Sequence, residues 1–234
     1  VIDLSFWVIS AEVWTKRLAL KIRSSNDWSM KKRLYAGIDL GGTNIKYGLA
    51  TDDGEIAHSD SVSTGRTRKK IISQFATILR ELDEVARSRN LHFATVGIGS
   101  PGHVDIEQGR VVSGSPNVRQ WRGADITGDL SRELNGELGV KIFVDNDANA
   151  MALAEHSFGA GKGHSSGLYL TVGTGLGSGI ILGNKMWRGS TYAGAELGHS
   201  IIVKGGYPCQ CGKRGCLEMY VNAESFVRFY GERA

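Results

Sequence analysis

Leu34-Tyr-Ala-Gly-Ile-Asp39-Leu-Gly41-Gly42-Thr43-Asn44-Ile-Lys-Tyr-Gly-Leu-Ala50 is the stretch that decides the fold. Its first six residues read as a buried strand, Gly41-Gly42-Thr43-Asn44 as a tight turn, and Ile45–Ala50 as a second strand. Asp52-Asp53-Gly54 is a hairpin signal leading into a third strand that runs to Val62. The period then changes. Ile71, Ile72, Phe75, Ile78, Leu79, Leu82, Val85 and Ala86 recur at helical spacing and predict an amphipathic helix over residues 68–89. Phe93–Ile98 reads as a short buried strand ending in Gly99-Ser-Pro101-Gly102. Residues 125–138 read as a helix, Val140–Val144 as a strand and Ala148–Phe158 as a helix, with a glycine-rich break at residues 159–163.

The opening pattern then recurs. Leu168–Val172 reads as a strand, Gly173-Thr174-Gly175-Leu-Gly177-Ser-Gly179 as a glycine turn, and Ile180–Leu182 as a further strand. This weak internal repeat predicts two related α/β lobes with a cleft between them. The lobes are expected over residues 30–145 and 146–234. After Glu218 there is room for one helix, Ala223–Tyr230, so the second lobe is expected to be incomplete.

The 234 residues are 41% hydrophobic, enough for a real core, and no run of apolar residues is long enough to predict a membrane span. Few cysteines point to a reducing, cytoplasmic compartment. The net charge of +4 does not predict a nucleic-acid partner, because residues 1–36 carry seven Lys/Arg against three Asp/Glu and the rest is neutral. Those residues also lack glycine and hold three of the five tryptophans. Residues 1–29 read as sequence upstream of a natural start at Met30, either a mis-assigned start or a fusion remnant; an amphipathic helix around Ala11–Ile22 is the alternative.

Two glycine turns, Asp39-Leu-Gly41-Gly42-Thr43-Asn44 and Gly173-Thr174-Gly175, each follow a strand. Glycines there let backbone N–H groups approach an anion, and threonine hydroxyls add donors, although a plain β-hairpin accounts for either turn alone. Neither has P-loop spacing, and strands rather than helices follow both, which excludes a dinucleotide fingerprint. Asp39 can hold Mg2+ through water or simply stabilise its turn. Asp145-Asn146-Asp147-Ala-Asn149 ends a strand and opens a helix. One of these residues is needed as an N-cap, and four polar side chains exceed that need. A carboxylate there can accept a proton from an alcohol attacking a phosphoryl group, which is worth about 10²–10⁴ in rate.

All three cysteines lie in Cys209-Gln-Cys211-Gly-Lys-Arg-Gly-Cys216, with Glu196-Leu-Gly-His199 upstream. An odd thiol count argues against a disulfide framework, and His199 completes a closed Cys3His set suited to structural zinc. Glu196 and Glu218 flank these ligands and can accept hydrogen bonds from sugar hydroxyls; His199 can serve the metal with one ring nitrogen and a ligand with the other. His58, His92, His103, His156 and His164 have no partner cluster in the sequence.

From Leu34 onward, the chain resembles the ROK family of bacterial sugar kinases, repressors and open reading frames. The resemblance rests on Asp39-Leu-Gly-Gly-Thr43, Gly97-Ile-Gly-Ser-Pro101-Gly102, Asn146-Asp147-Ala-Asn149, Gly173-Thr-Gly-Leu-Gly177, Gly194-Ala-Glu196-Leu-Gly-His199 and the cysteine run with Glu218. It implies an actin/hexokinase-like, ribonuclease H-like two-lobed α/β fold with a zinc-binding loop. It implies ATP phosphates and Mg2+ at Asp39, Gly41, Gly42, Thr43, Asn44, Gly173, Thr174 and Gly175. Asp147 is then the catalytic base, Asn117, Asn146, Glu196, His199 and Glu218 bind the hexose, and His199, Cys209, Cys211 and Cys216 bind zinc. The activity so implied is ATP-dependent phosphorylation of a hexose, glucose first, by a homodimer. A sugar-sensing regulator, or a kinase of fructose or N-acetylhexosamines, is the alternative. The family's second lobe also supplies an adenosine pocket beyond these motifs, so this chain is expected to bind sugar better than it phosphorylates it.

Overall fold

Leu34, Ala36, Ile38 and Leu40 alternate along one face of β1 (Leu34–Leu40), and all four are buried. The computed structural model describes residues 33–114, 118 and 120–231, so the expected extension over residues 1–29, the alternative helix at 11–22 and Asn117 lie outside the described residues. The chain divides into two compact units between Ala150 and Met151.

In the first unit β1 turns at Gly41–Thr43 into β2 (Asn44–Thr51), and Asp52-Asp53-Gly54 turns β2 into β3 (Ile56–Ser63), both pairings antiparallel. Helix α1 (Arg68–Arg87) is capped by Thr67, whose side chain accepts from Lys70 N, and it buries Ile71, Phe75, Ile78, Leu79 and Leu82 in the core. β4 (Phe93–Ser100) then pairs parallel to β1. A small hairpin of β5 (His103–Asp105) and β6 (Arg110–Ser113) precedes α2 (Ile126–Leu134), and β7 (Lys141–Asn146) pairs parallel to β4. The sheet order is β3-β2-β1-β4-β7. The core is formed between this sheet and the buried faces of α1 and α2, with Trp121 among its largest buried side chains.

Helix α3 (Asp147–Phe158) carries the chain past the division. The second unit opens with β8 (Gly167–Val172), β9 (Leu176–Leu182) and β10 (Lys185–Trp187), an antiparallel meander of order β10-β9-β8. A single 3-10 turn at Leu197–His199, a knuckle around the cysteines, α4 (Glu218–Val221) and α5 (Ala223–Gly231) follow. Each unit thus starts with strand, glycine turn, strand and third strand, the topological form of the internal repeat. No helix among the described residues is long and apolar enough to cross a membrane.

Three details differ from the sequence reading. Helix α2 stops at Leu134, four residues before 138, because Asn135 takes a left-handed conformation (φ 45°) that ends the helix. Strand β9 begins at Leu176, so Gly177 and Gly179 sit inside a strand rather than in the turn. The short strands β5, β6 and β10, of three to four residues, carry too little alternation to be read from sequence.

Candidate functional site

The parallel strands β1, β4 and β7 end along one edge of the first sheet. Register places Asp39 beside Gly99 and Gly99 beside Asp145, so the two carboxylates end strands on either side of β4. This is the carboxyl edge at which open α/β sheets hold ligands. The first glycine turn leaves from it: Gly41 N donates to Asn44 O at 3.0 Å, and Thr64 Oγ1 donates to Gly41 O at 2.8 Å. Gly42, Thr43 and Asn44 are exposed.

At the end of β7, Asn146 Oδ1 accepts from Asn149 N at 3.1 Å, which makes Asn146 the N-cap of α3. Its Nδ2 donates to Gly102 O at 3.1 Å and to Asp147 Oδ1 at 3.0 Å. Gly102 makes this possible: its φ is +92° and a Cβ would lie 2.2 Å from Ser113 O, so only glycine fits. Asp145 is buried and accepts from Asn146 N at 2.8 Å and from Asn149 Nδ2 at 3.3 Å. Asp147 is half-buried in the first turn of α3. One deep hydrogen bond braces the loop after β4: Trp121 Nε1 donates to Ser100 Oγ at 2.8 Å, and both residues are buried.

In the second unit, His199, Cys209, Cys211 and Cys216 bring one ligand atom each to within 4.8 Å of one another. Cys209 Sγ lies 3.6 Å from His199 Nδ1, and Cys211 Sγ lies 3.6 Å from Cys216 Sγ. A tetrahedral zinc, with Zn–S of about 2.3 Å and Zn–N of about 2.0 Å, holds its ligand atoms about 3.5–3.8 Å apart. The donor set and its spacing therefore fit a four-coordinate soft metal ion, with Nδ1 as the histidine ligand and Nε2 left over.

The backbone builds this cluster locally. Cys209 N donates to Lys213 O at 2.9 Å and Gly212 N to Cys209 O at 3.0 Å, closing the knuckle. Leu217 N donates to Ser200 O at 2.9 Å, and Ile201 bridges to Cys216. Gly198 packs so closely on β9 that a Cβ would lie 2.3 Å from Leu176 O, so glycine is required next to His199. Burial pushes the Cys209 thiol up and the Cys216 thiol up to about 12. Burial also pushes Cys211 up, but hydrogen bonds from the Lys213 backbone and the neighbouring thiols bring it below the usual thiol value. Metal binding must therefore displace protons from at least the two buried thiols.

Glu218 and the second glycine turn share this unit. Glu218 Oε2 accepts from Leu176 N at 2.9 Å, directly after Gly173-Thr174-Gly175. Glu196 is exposed and flanks the 3-10 turn that carries His199. The structure thus places Asp39, Gly41, Gly42, Thr43, Asn44, Asn146 and Asp147 in the first unit. Gly173, Thr174, Gly175, Glu196, His199 and Glu218 lie in the second. His156 has a partner that sequence did not reveal, with Nδ1 2.7 Å from Tyr169 Oη. Asn222 was also missed: it caps α5 by accepting from Ser225 N at 2.9 Å, and its Nδ2 donates to Thr174 O at 3.4 Å. An asparagine before Ala-Glu-Ser is a legible cap signal, whereas the contact with Thr174 is not.

These motifs, in this order, match a known family profile, described as the ROK family, over residues 35–234. The chain belongs to the ROK family. Among its ROK relatives, a glucokinase of Thermotoga maritima is 38% identical over 205 residues, 87% of this chain and 62% of the relative. The xylose repressor of Bacillus subtilis is 32% identical over 207 residues, 85% of this chain and 50% of the repressor. Among solved structures, a ROK family glucokinase from Streptomyces griseus, in complex with glucose and AMPPNP, is similar with TM-score 0.73 and 36% identity. That likeness covers 86% of this chain and 61% of the Streptomyces chain. The chain thus spans about 60% of the length of the curated glucokinases it matches.

Proposed function

We propose that this ROK chain serves ATP-dependent phosphorylation of a hexose at its terminal hydroxyl, with glucose as the favoured substrate. The observation that carries the reading is the carboxyl edge of the first sheet. There a glycine turn with Asp39 and a helix N-terminus with Asp147 share one edge, and the capping duty falls to Asn146. Asn146, not Asp147, caps the helix, and in this reading the Asp147 carboxylate acts as base.

In this reading Asp147 takes the proton from the sugar hydroxyl as its oxygen bonds to the γ-phosphorus. The bond from that phosphorus to the β,γ-bridging oxygen breaks, and ADP leaves with the electron pair. Asp39 would hold Mg2+, which would offset the charge on the phosphates of bound ATP. Backbone N–H groups of Gly41–Asn44 and Gly173–Gly175 cradle those phosphates. Asn117, Asn146, Glu196, His199 and Glu218 bind the sugar hydroxyls. His199 does so through Nε2 while Nδ1 serves a structural zinc shared with Cys209, Cys211 and Cys216. The glucokinase from Streptomyces griseus, crystallised with glucose and an ATP analogue, supports this substrate pair. The protein works in the cytoplasm as a homodimer in this reading.

The likeness to a xylose repressor supports a second reading, a sugar-responsive regulator that binds sugar without turning over ATP. Coupled measurement of ADP production with glucose, fructose, mannose, N-acetylglucosamine and xylose separates the two. Glucose-dependent ADP release supports the kinase. Sugar binding by calorimetry with no ADP release from any of them supports the regulator.

A further inference from the structure

Among the described residues, the second glycine turn makes one backbone hydrogen bond within itself. Within it, Gly173 N donates to Gly175 O at 2.9 Å. Three further hydrogen bonds link the turn and Leu176 to α4, α5 and the junction between them. Leu176 N donates to Glu218 Oε2 at 2.9 Å, Ala223 N to Gly173 O at 2.9 Å, and Asn222 Nδ2 to Thr174 O at 3.4 Å. These partners follow directly on the metal cluster. A single residue, Leu217, separates Cys216 from Glu218, and Met219 N donates to Cys216 O at 3.0 Å. Leu176 is held on its other side too, since its carbonyl lies against Gly198 beside His199.

We propose that Asn222 and Glu218 are positioning residues that tie the shape of the second phosphate turn to the metal loop, so that donor binding depends on metal occupancy. The inference rests on the reading of Gly173–Gly175 as a phosphate turn and of the Cys3His cluster as a metal site. The physical reason is peptide planarity. None of the described peptide bonds is cis, so a carbonyl and the next residue's N–H point in opposite directions. Pinning the carbonyls of Gly173 and Thr174 to Ala223 and Asn222 therefore turns the N–H groups of Thr174 and Gly175 away from the α4–α5 junction. Two successive N–H groups presented on one side are what an anion-binding turn needs.

Asn222 is suited to this role in a way that other caps are not. It is 5% exposed, its Oδ1 caps α5, and its Nδ2 reaches the turn. Asp or Ser would cap α5 as well. Neither can donate from that position as the amide does.

The test is amide hydrogen exchange on the zinc-loaded chain, comparing the parent with Asn222→Asp and Asn222→Ser, and the parent before and after chelation. The expected result is exchange faster by about fivefold or more at Gly173, Leu176 and Ala223 in both variants and after chelation. Zinc content of the variants, and exchange at Gly41 in the first unit, stay at the parent values. Unchanged exchange at the turn in both variants overturns the proposal, as does loss of protection spread evenly over β8 and β9. Calorimetry with Mg-ATP on the same samples gives the functional arm, with affinity falling in both variants and glucose affinity retained. A parent chain that binds no Mg-ATP sinks the kinase reading, while the exchange data still decide the coupling.

Discussion

The Asn146 side chain accepts the Asn149 backbone N–H at 3.1 Å, and that one bond divides labour at the start of α3. Asn146 satisfies the helix end. Asp147, next to it, is left with its carboxylate in the first turn, accepting from Ala148 N at 2.9 Å and Asn146 Nδ2 at 3.0 Å. The two residues should therefore respond differently to substitution.

For Asp147→Asn we expect little change in stability, since the cap is elsewhere, and glucose affinity within several-fold of the parent. Turnover with Mg-ATP should fall by about 10²-fold or more. Asn146→Ala should instead lower unfolding free energy by about 1 kcal/mol through the lost cap, measured by urea denaturation. Near-normal turnover in Asp147→Asn would remove Asp147 from the base role.

Metal analysis of protein prepared without chelator should return one zinc per chain. Cys211 is exposed at the knuckle, unlike the buried Cys209 and Cys216, so Cys211→Ala removes a proposed ligand without opening a cavity in the core. Closure of such sites is worth about 10–16 kcal/mol in zinc peptides near neutral pH. Cys211→Ala should therefore lose the zinc, lower the melting temperature and weaken glucose binding. A variant that keeps one zinc per chain would show that Cys211 is not a ligand.

Ser100→Ala should cost about 1–3 kcal/mol, because it leaves the buried Trp121 indole N–H without its acceptor. Chemical denaturation followed by tryptophan fluorescence reads this directly. A loss below about 0.5 kcal/mol would mean that another acceptor takes over.

Tyr47, buried in the core of the first unit, gives a pH signature. Burial, the Glu81 charge and the hydrogen bond to Glu81 push its phenol up to about 12. The Tyr47 hydroxyl donates to both Glu81 oxygens at 3.1 Å. In the unfolded chain the phenol ionises near its ordinary value of 10.0. Between these values the folded state holds more protons, so stability falls as pH rises through that window and is unaffected below it. Tyr47→Phe should flatten this alkaline fall in a stability–pH series. An unchanged slope from pH 10 to 12 would assign the fall to other groups.

Much of the architecture was legible because it rests on short-range patterns. The run from Leu34 to Ala50 alternates and breaks at glycines, and α1 shows its helical period through eight apolar residues, so both elements stand where the sequence puts them. Helix α2 was read too long because nothing apolar marks its end; Asn135 ends it by conformation. The Cys3His cluster was legible because three of its four residues fall within eight positions.

Sequence by itself thus determined the order of the longer elements, the two glycine turns, the Cys3His group and the family. Each of these is written in neighbouring residues, through side-chain period, backbone freedom or ligand spacing. Tertiary structure alone decided which of Asn146 and Asp147 caps α3, because that choice depends on where Gly102 O lies, 44 positions away. It alone set Asp39 and Asp145 at the same level across β4, since strand register is a property of paired chains. It alone joined Asn222 to Thr174, 48 positions apart. The physical reason is common to all three: a hydrogen bond between distant residues depends on how the chain returns, and no local pattern encodes that return.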